Sequence, residues 1–505
     1  MTDYCQNISF AEVKLRVNNP VLVAFAHFDI YNGRDKMKNR TAPGSKMVNM
    51  LRQPKGFYKS VFALMIPIVL QNLITQTVTL ADTFMIGVLG EQYLAAATMA
   101  TTPIFLLNII LFGMQSGVGI LVAQYWGKGN TDAINRVLGV GMYIAVAYTF
   151  AAALIIAIIP HQVLGLVTSD QTLVGLGAQY ARIVGFSMVF NAISLVYISC
   201  QRSMENVRLG LVVLIISAVF NVFGNWVLIY GNLGMPALGM EGAAISTLCA
   251  RILEVIIVSA YAMRNSRLPL KIWLLLKPGM TIFRDFVKYS LPVLFNEALW
   301  GLGAMMYPVI FGHMAGAQSI LAAYNIAGNL DRLFAVSMFA SGAATAVIVG
   351  REIGAGRRDN AESVAKSLLA LSFIIGLLSG VLLLLALLVV LEPFVFGFFD
   401  LSAEAASTAS IMLMILSFSA PLRTLGFTMG IGVMRGGGDV KALMLIDVGT
   451  LYFIALPIAA IAGLVAGASI TVVYSSVLIE NAIKTGLLYI RVRGGKWVHD
   501  VTREL

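Results

Sequence analysis

The stretch "VAQYWGKGNTDAINR", residues 122–136, returns in altered form as "VGREIGAGRRDNAES", residues 349–363. Gly127, Gly129 and Asp132 align with Gly354, Gly356 and Asp359. Nearly the same offset sets Pro67 on Pro292, "LAAAT" from Leu94 on "LAAYN" from Leu321, and Glu254 on Glu480. The loop Arg202-x-x-x-Asn206-Val207-Arg208 falls on Arg435-x-x-x-Asp439-Val440-Lys441. The chain therefore reads as two copies of one structural unit.

Composition sets the solvent for that unit. Of 505 residues, 58% are hydrophobic and 12% charged, with mean hydropathy +0.84. Soluble domains carry roughly a quarter charged residues. This chain cannot cover a water-facing surface and reads as an integral membrane protein. Its net charge of +10 points to anionic lipid headgroups and loop topology, with no nucleic-acid partner implied. Cys5, Cys200 and Cys249 are too scattered for a CxxC site or a disulfide framework.

A spanning helix needs about 20 mostly apolar residues. Twelve such runs occur, near 60–88, 100–124, 136–159, 173–200, 209–231, 240–262, 288–312, 322–350, 365–391, 405–430, 441–464 and 467–490. They are long and continuous, unlike the short alternating segments of a barrel. The even-numbered loops carry Lys128, Arg136, Arg202, Arg208, Arg264, Arg267, Lys271, Lys277, Arg284, Arg351, Arg357, Arg358, Arg435 and Lys441. The odd-numbered loops hold Glu91, His161, Asp170, Glu241, His313, Glu392 and Asp400, with no Lys or Arg. The positive-inside rule then places both termini in the cytoplasm of a bacterial-type plasma (inner) membrane.

Six spans per half is an even number, so both halves enter from the same side and form parallel repeats. The expected fold is all-α and polytopic: an N-terminal tail, 1–57; a first lobe of six helices, 58–263; a basic amphipathic linker, 264–287; a second lobe, 288–490; and a tail, 491–505. The linker is expected to lie in the membrane interface. Residues 1–46 fall outside the repeat; they read either as a disordered tail or as sequence upstream of a start at Met47 or Met50. No cleavable signal peptide is evident.

The paired Gly-x-Gly turns read as helix closures that need a left-handed residue. Arg202 and Arg435 read as lipid anchors or as caps for carbonyls. No GxxxxGK[ST], HExxH or GxSxG motif occurs, and four scattered histidines give an enzyme little to work with.

Taken in order, Pro67…Asp82-x-x-x-x-Gly87…Gly90…"LAAA", the Gly-x-Gly pair, "RSMENVR", "RGGGDVK", "GAAIST" from Gly242 and "PVLFNEALWGLG" from Pro292 resemble the multidrug and toxic-compound extrusion (MATE) transporters. The resemblance spans roughly residues 58–490. It implies a V-shaped pair of lobes and cation-coupled export of amphiphilic, often cationic, small molecules by alternating access. It also implies an antiporter with no cofactor, driven by Na⁺ or H⁺, whose partners are its substrate and lipid and which acts as a monomer.

Asp82 lies inside the first span, where a charge costs several kcal/mol unless it is paired, wet or protonated. It reads as the cation or proton site of the first lobe, against the plainer alternative of snorkelling. Asn221 and Asn225 are i and i+4 on the fifth span and share one face. Their amide oxygens, with Asp82, would suit Na⁺; Asn72 and Thr247 are weaker candidates. The family resemblance implies an Asp where this chain has Asn225, so one negative charge is missing.

In the second lobe, Glu297 reads as a cavity or gating carboxylate, or as a structural partner of Arg332 or Arg423. Asp447 could fill the same structural role. Trp300, Tyr307 and Asp331 complete the polar and aromatic residues there. The tenth span offers Arg423 and no carboxylate, so the second-lobe Na⁺ site of some family members is expected to be absent. Arg251 and Glu254, i and i+3, are expected to pair. A flippase for lipid-linked intermediates, or another amphiphile translocator, is the alternative. It would need many cations for pyrophosphate, and only Arg332 and Arg423 are in place.

Overall fold

The computed structural model describes residue 51, residues 53–395 and residues 402–503. Most of the tail 1–57, with its alternative starts, lies outside the described residues, as does Asp400.

Eleven helices are long and apolar enough to cross a membrane. They are α1 (Phe57–Gly87), α2 (Glu91–Lys128), α3 (Thr131–Ile158), α4 (Gln171–Ser203), α5 (Arg208–Tyr230), α6 (Gly239–Arg264), α7 (Met280–Gly312), α8 (Ala317–Gly354), α9 (Arg358–Glu392), α10 (Ala403–Arg435) and α11 (Val440–Val465). The twelfth expected span is present as α12, in two pieces, Ile470–Tyr474 and Ser476–Arg493. It breaks at Ser475, whose hydroxyl donates to Thr471 O at 2.6 Å. Its second piece carries Glu480, Lys484, Arg491 and Arg493, four charges in 18 residues.

The helix ends follow local chemistry. Asn130 Oδ1 accepts from Ala133 N at 2.9 Å and caps α3. Asp170 does the same for α4, and Ser402 for α10. Gly129 and Gly356 sit just past α2 and α8 with φ of 74° and 75°, the helix-closing role expected of them. Gly127 and Gly354 do not share that role. They lie inside α2 and α8 and face the opposite helix. A Cβ on Gly127 would lie 2.1 Å from Arg351 O, and one on Gly354 would lie 1.8 Å from Gln124 O.

That contact is where the two halves meet. α2 packs against α7 and α8, and α8 also packs against α1. Gly117 would meet Ser290, Gly350 would meet Ala123, and Gly113 would meet Leu294, each under 3.0 Å. All these approaches lie in the parts of α2, α7 and α8 nearer the basic loops. The two six-helix lobes are therefore clamped at the basic face, the closed end of the V. One buried cluster is built mainly from α2–α6 and two others mainly from α7–α12, with α1 (Val61, Leu64, Met65, Ile68) packed into a second-lobe cluster and the start of α7 (Ile282, Phe286, Val293) into the first.

The linker carries a short helix, Ile272–Leu276, held against α3. Arg136 Nη1 donates to Lys277 O and Pro278 O, and Lys271 pairs with Asp132 at 2.6 Å. Ile272, Trp273 and Leu276 are exposed, an apolar face of the kind the membrane interface covers.

Candidate functional site

In the first lobe, α1, α5 and α6 bring four of the expected residues together. Asn225 Nδ2 donates to Asp82 Oδ1 at 2.6 Å. Asn221 Nδ2 reaches Ser246 Oγ at 3.5 Å and Thr247 Oγ1 at 3.4 Å. Ser246 Oγ donates to Asn221 O at 2.8 Å. The helices can approach because Gly224 faces Ser246, where a Cβ would lie 2.5 Å from its hydroxyl. Asn221 and Asn225 are buried, as their shared face requires. Ser246 is a member of this cluster that the sequence reading passed over; "GAAIST" places it one residue before Thr247.

The chemistry of this cluster is lopsided. Asn221 Oδ1 and Asn225 Oδ1 are buried with no hydrogen-bond partner. A buried carbonyl oxygen left unpaired costs about 1–3 kcal/mol. Two such oxygens, on the residue that bonds the Asp82 carboxylate and on its i−4 neighbour, are the type of ligand a hard cation takes. Asn72 is not brought in. Its amide donates to Ile68 O on its own helix, and it stands about 15 Å from Asp82 along α1, at 1.5 Å per residue.

Below this cluster Arg251 pairs with Glu254 at 2.7 Å, as expected, and Ser217 Oγ donates to the same carboxylate oxygen at 2.7 Å. Arg251 lies within electrostatic range of Asp82 but spends its hydrogen bond on Glu254. Among the described residues, Asp82 has no ion-pair partner of its own.

The second lobe is wired differently. Arg423 holds Asp331 bidentately, at 2.9 and 2.6 Å. Glu297 is bonded by Arg435, which also reaches Ser116 of the first lobe at 3.4 Å. This corrects two expectations. Glu297 is partnered by neither Arg332 nor Arg423. Arg435, only 2% exposed, is no lipid anchor. Residues Thr428–Arg435 wind as a π-helix, and Arg435 at its end lies at the lobe boundary, between Glu297 and Ser116. Position in the sequence offered no sign of this wider turn.

Asp447 is paired with Lys484 at 3.1 Å, which also bonds Glu480 at 3.1 Å; Asn296 Nδ2 donates to Asp447 Oδ2 at 3.2 Å. Lys484 is the residue the sequence reading missed, although a lysine at i+4 from Glu480 in an apolar span was a visible signal. Trp300 is half-exposed, Tyr307 is buried against Phe311, and Arg332 is exposed. Because Arg423 is committed to Asp331, it is not free to hold a pyrophosphate. Among the described residues no group of three His, Cys, Asp or Glu is placed to hold a metal ion.

Comparison with known proteins agrees with this architecture. The probable multidrug resistance protein YoeA of Bacillus subtilis is 24% identical over 82% of this chain and 88% of its own length. The probable multidrug resistance protein NorM of Thermotoga maritima is 20% identical over 79% and 84%. Among solved structures, a MATE crystallised in complex with MaL6 superposes with TM-score 0.78 over 90% of this chain and all of the other, at 17% identity. An outward-facing MATE family transporter of the MOP superfamily gives 0.77 over 91%, also at 17% identity. The MatE family model matches both halves, residues 67–227 and 292–461, and the chain belongs to that family.

Proposed function

We propose that this protein is a secondary antiporter that exports amphiphilic, cationic small molecules in exchange for Na⁺ or H⁺, with Asp82 as the coupling carboxylate. Membership of the MatE family and the names of its relatives support the efflux part. One observation carries the coupling part. Among the described residues Asp82, on α1, forms no ion pair; its bonded partner Asn225 and Asn221, i−4 on the same face, each keep a buried amide oxygen without a partner. Glu254, Glu297 and Asp331 are each bonded by an Arg, and Asp447 and Glu480 share the ammonium of Lys484. A bound cation would satisfy the first-lobe oxygens and favour the conformation that supplies them. The basic face is cytoplasmic in this reading, so the conformation described is closed to the cytoplasm. Trp300 and the other exposed aromatics of α7 would meet the substrate.

The test is Asp82→Asn, which keeps shape and removes charge. Uptake of a fluorescent cationic dye into energised everted vesicles would be followed with and without Na⁺. Gradient-driven uptake should fall at least tenfold while dye binding to purified protein persists. Uptake equal to the parent's would move the coupling site elsewhere. Dependence on Na⁺ in the parent would identify the ion.

A further inference from the structure

The repeat that builds the two lobes also builds two crossings between them at the basic face. Gln124 and Arg351 occupy equivalent positions in it. Arg351, on α8, crosses to the first lobe and pairs with Glu205 in the α4–α5 loop. Gln124, on α2, crosses to the second lobe and donates to Gly436 O at 3.1 Å in the α10–α11 loop. Within these loops, Glu205 is equivalent to Gly438. Both take the left-handed conformation, with φ of 63° and 82°. That conformation is natural for glycine and strained for glutamate. The first crossing thus ends on a carboxylate held in a costly backbone; in the second, Gly438 has no side chain to offer and Gln124 reaches the backbone carbonyl of Gly436.

The missing group comes from the end of the chain. Val498 pairs with Gly438 as an antiparallel bridge, and His499 N donates to Gly437 O at 2.8 Å. A Cβ on Gly438 would lie 2.7 Å from Val501. Trp497 is 1% exposed, fills the space above Gly437 and belongs to a core built mainly from second-lobe helices. Four residues later Val501 is buried in the core built mainly from first-lobe helices. Gln124 Nε2 donates to His499 O at 3.1 Å, and Gln124 Oε1 accepts from Val501 N at 2.9 Å. Arg503 N donates to the Tyr125 hydroxyl at 3.2 Å. The Arg503 guanidinium holds buried Asp285 at the start of α7, at 2.7 and 2.8 Å.

We propose that residues 494–503 form a strap that clamps the two lobes across the basic face and must detach from α2 before that face can open. The inference rests on the alternating-access reading above. Trp497 stays with the second lobe, because its partners Gly437 and Val492 both belong there. The contacts to Gln124, Tyr125 and Lys128 are the ones that break. The Lys128 contact lies at the exposed edge, while those to Gln124 and Tyr125 are buried polar bonds that break together with the withdrawal of Val501 from the first-lobe core and are re-made to water as the face opens.

The test joins the strap to α2 covalently. Lys128 Nζ lies 3.5 Å from Thr502 Oγ1; Lys128 is exposed and Thr502 half-buried. Lys128→Cys and Thr502→Cys are combined in a chain whose Cys5, Cys200 and Cys249 are replaced by Ala. A short bis-methanethiosulfonate linker that dithiothreitol reverses is then applied. The linker should react in high yield, reduce dye export at least tenfold, and release that block on reduction. Failure of the linker to join the pair overturns the docked strap. A joined protein that exports as fast as the reduced one overturns the need for detachment. A reduced protein that never exports speaks against the efflux reading, while the joining yield still reports the strap.

Discussion

Gly354→Ala places a methyl group where α8 crosses α2. The added Cβ would lie 1.8 Å from Gln124 O, 2.5 Å from its carbonyl carbon and 2.7 Å from its Cα. Ordinary contact needs about 3.4 Å or more, and all three obstacles are backbone, so no rotamer change relieves them. The neighbours belong to the other lobe, so separating the lobes removes the clash. Overpacking costs about 1–3 kcal/mol where some relaxation is available. Taking about 2 kcal/mol, the equilibrium moves about thirtyfold away from the closed basic face, at tenfold per 1.4 kcal/mol. The variant should still insert and fold. A reporter is Ser116→Cys, a near-isosteric change on α2 at the lobe boundary. Its reaction with an impermeant maleimide in everted vesicles should speed at least tenfold when Gly354→Ala is added. Gly356→Ala is the control. It has nothing within 4 Å of its added Cβ and bears only the cost of φ 75°, roughly 1–2 kcal/mol, with no effect on the lobe boundary. A folded Gly354→Ala protein whose Ser116→Cys reacts at the parent rate would refute the reasoning.

Lys484→Met leaves Asp447 and Glu480 without their shared ammonium in a mostly buried site. Breaking such a pair costs about 3–5 kcal/mol, so the thermal midpoint in detergent should drop by several degrees; adding Asp447→Asn should recover part of it, and no drop would mean the cluster is hydrated. Asn225→Asp sets a second carboxylate 2.6 Å from Asp82, where two like charges cannot both ionise. Export should then follow a proton gradient and lose any dependence on Na⁺, as read in vesicles with each gradient imposed separately. Arg423→Ala strands Asp331, and reduced expression rescued by Asp331→Asn would identify the pair as structural; export lost without loss of expression would point to a transport role instead.

Hydropathy and charge settled much of this protein before any coordinate was needed. Twelve spans, their alternation and the duplication follow from period, length and the placement of Lys and Arg, because the bilayer punishes any other arrangement of such a chain. Asp82 and the i, i+4 asparagines were legible for the same reason, since polar groups inside a span are expensive and stand out. Partner choice was not legible. By sequence Glu297 was set against Arg332 or Arg423, and the fold brings Arg435, at the end of the π-turn Thr428–Arg435, to it instead. Gly127 and Gly129 look alike in "WGKGN", yet one closes a helix and the other admits the opposite lobe, because only three-dimensional packing brings Arg351 against α2. The last ten described residues read as an ordinary basic tail. Their burial between two cores depends on where α2 and the α10–α11 loop end in space, a long-range relation that local sequence does not encode.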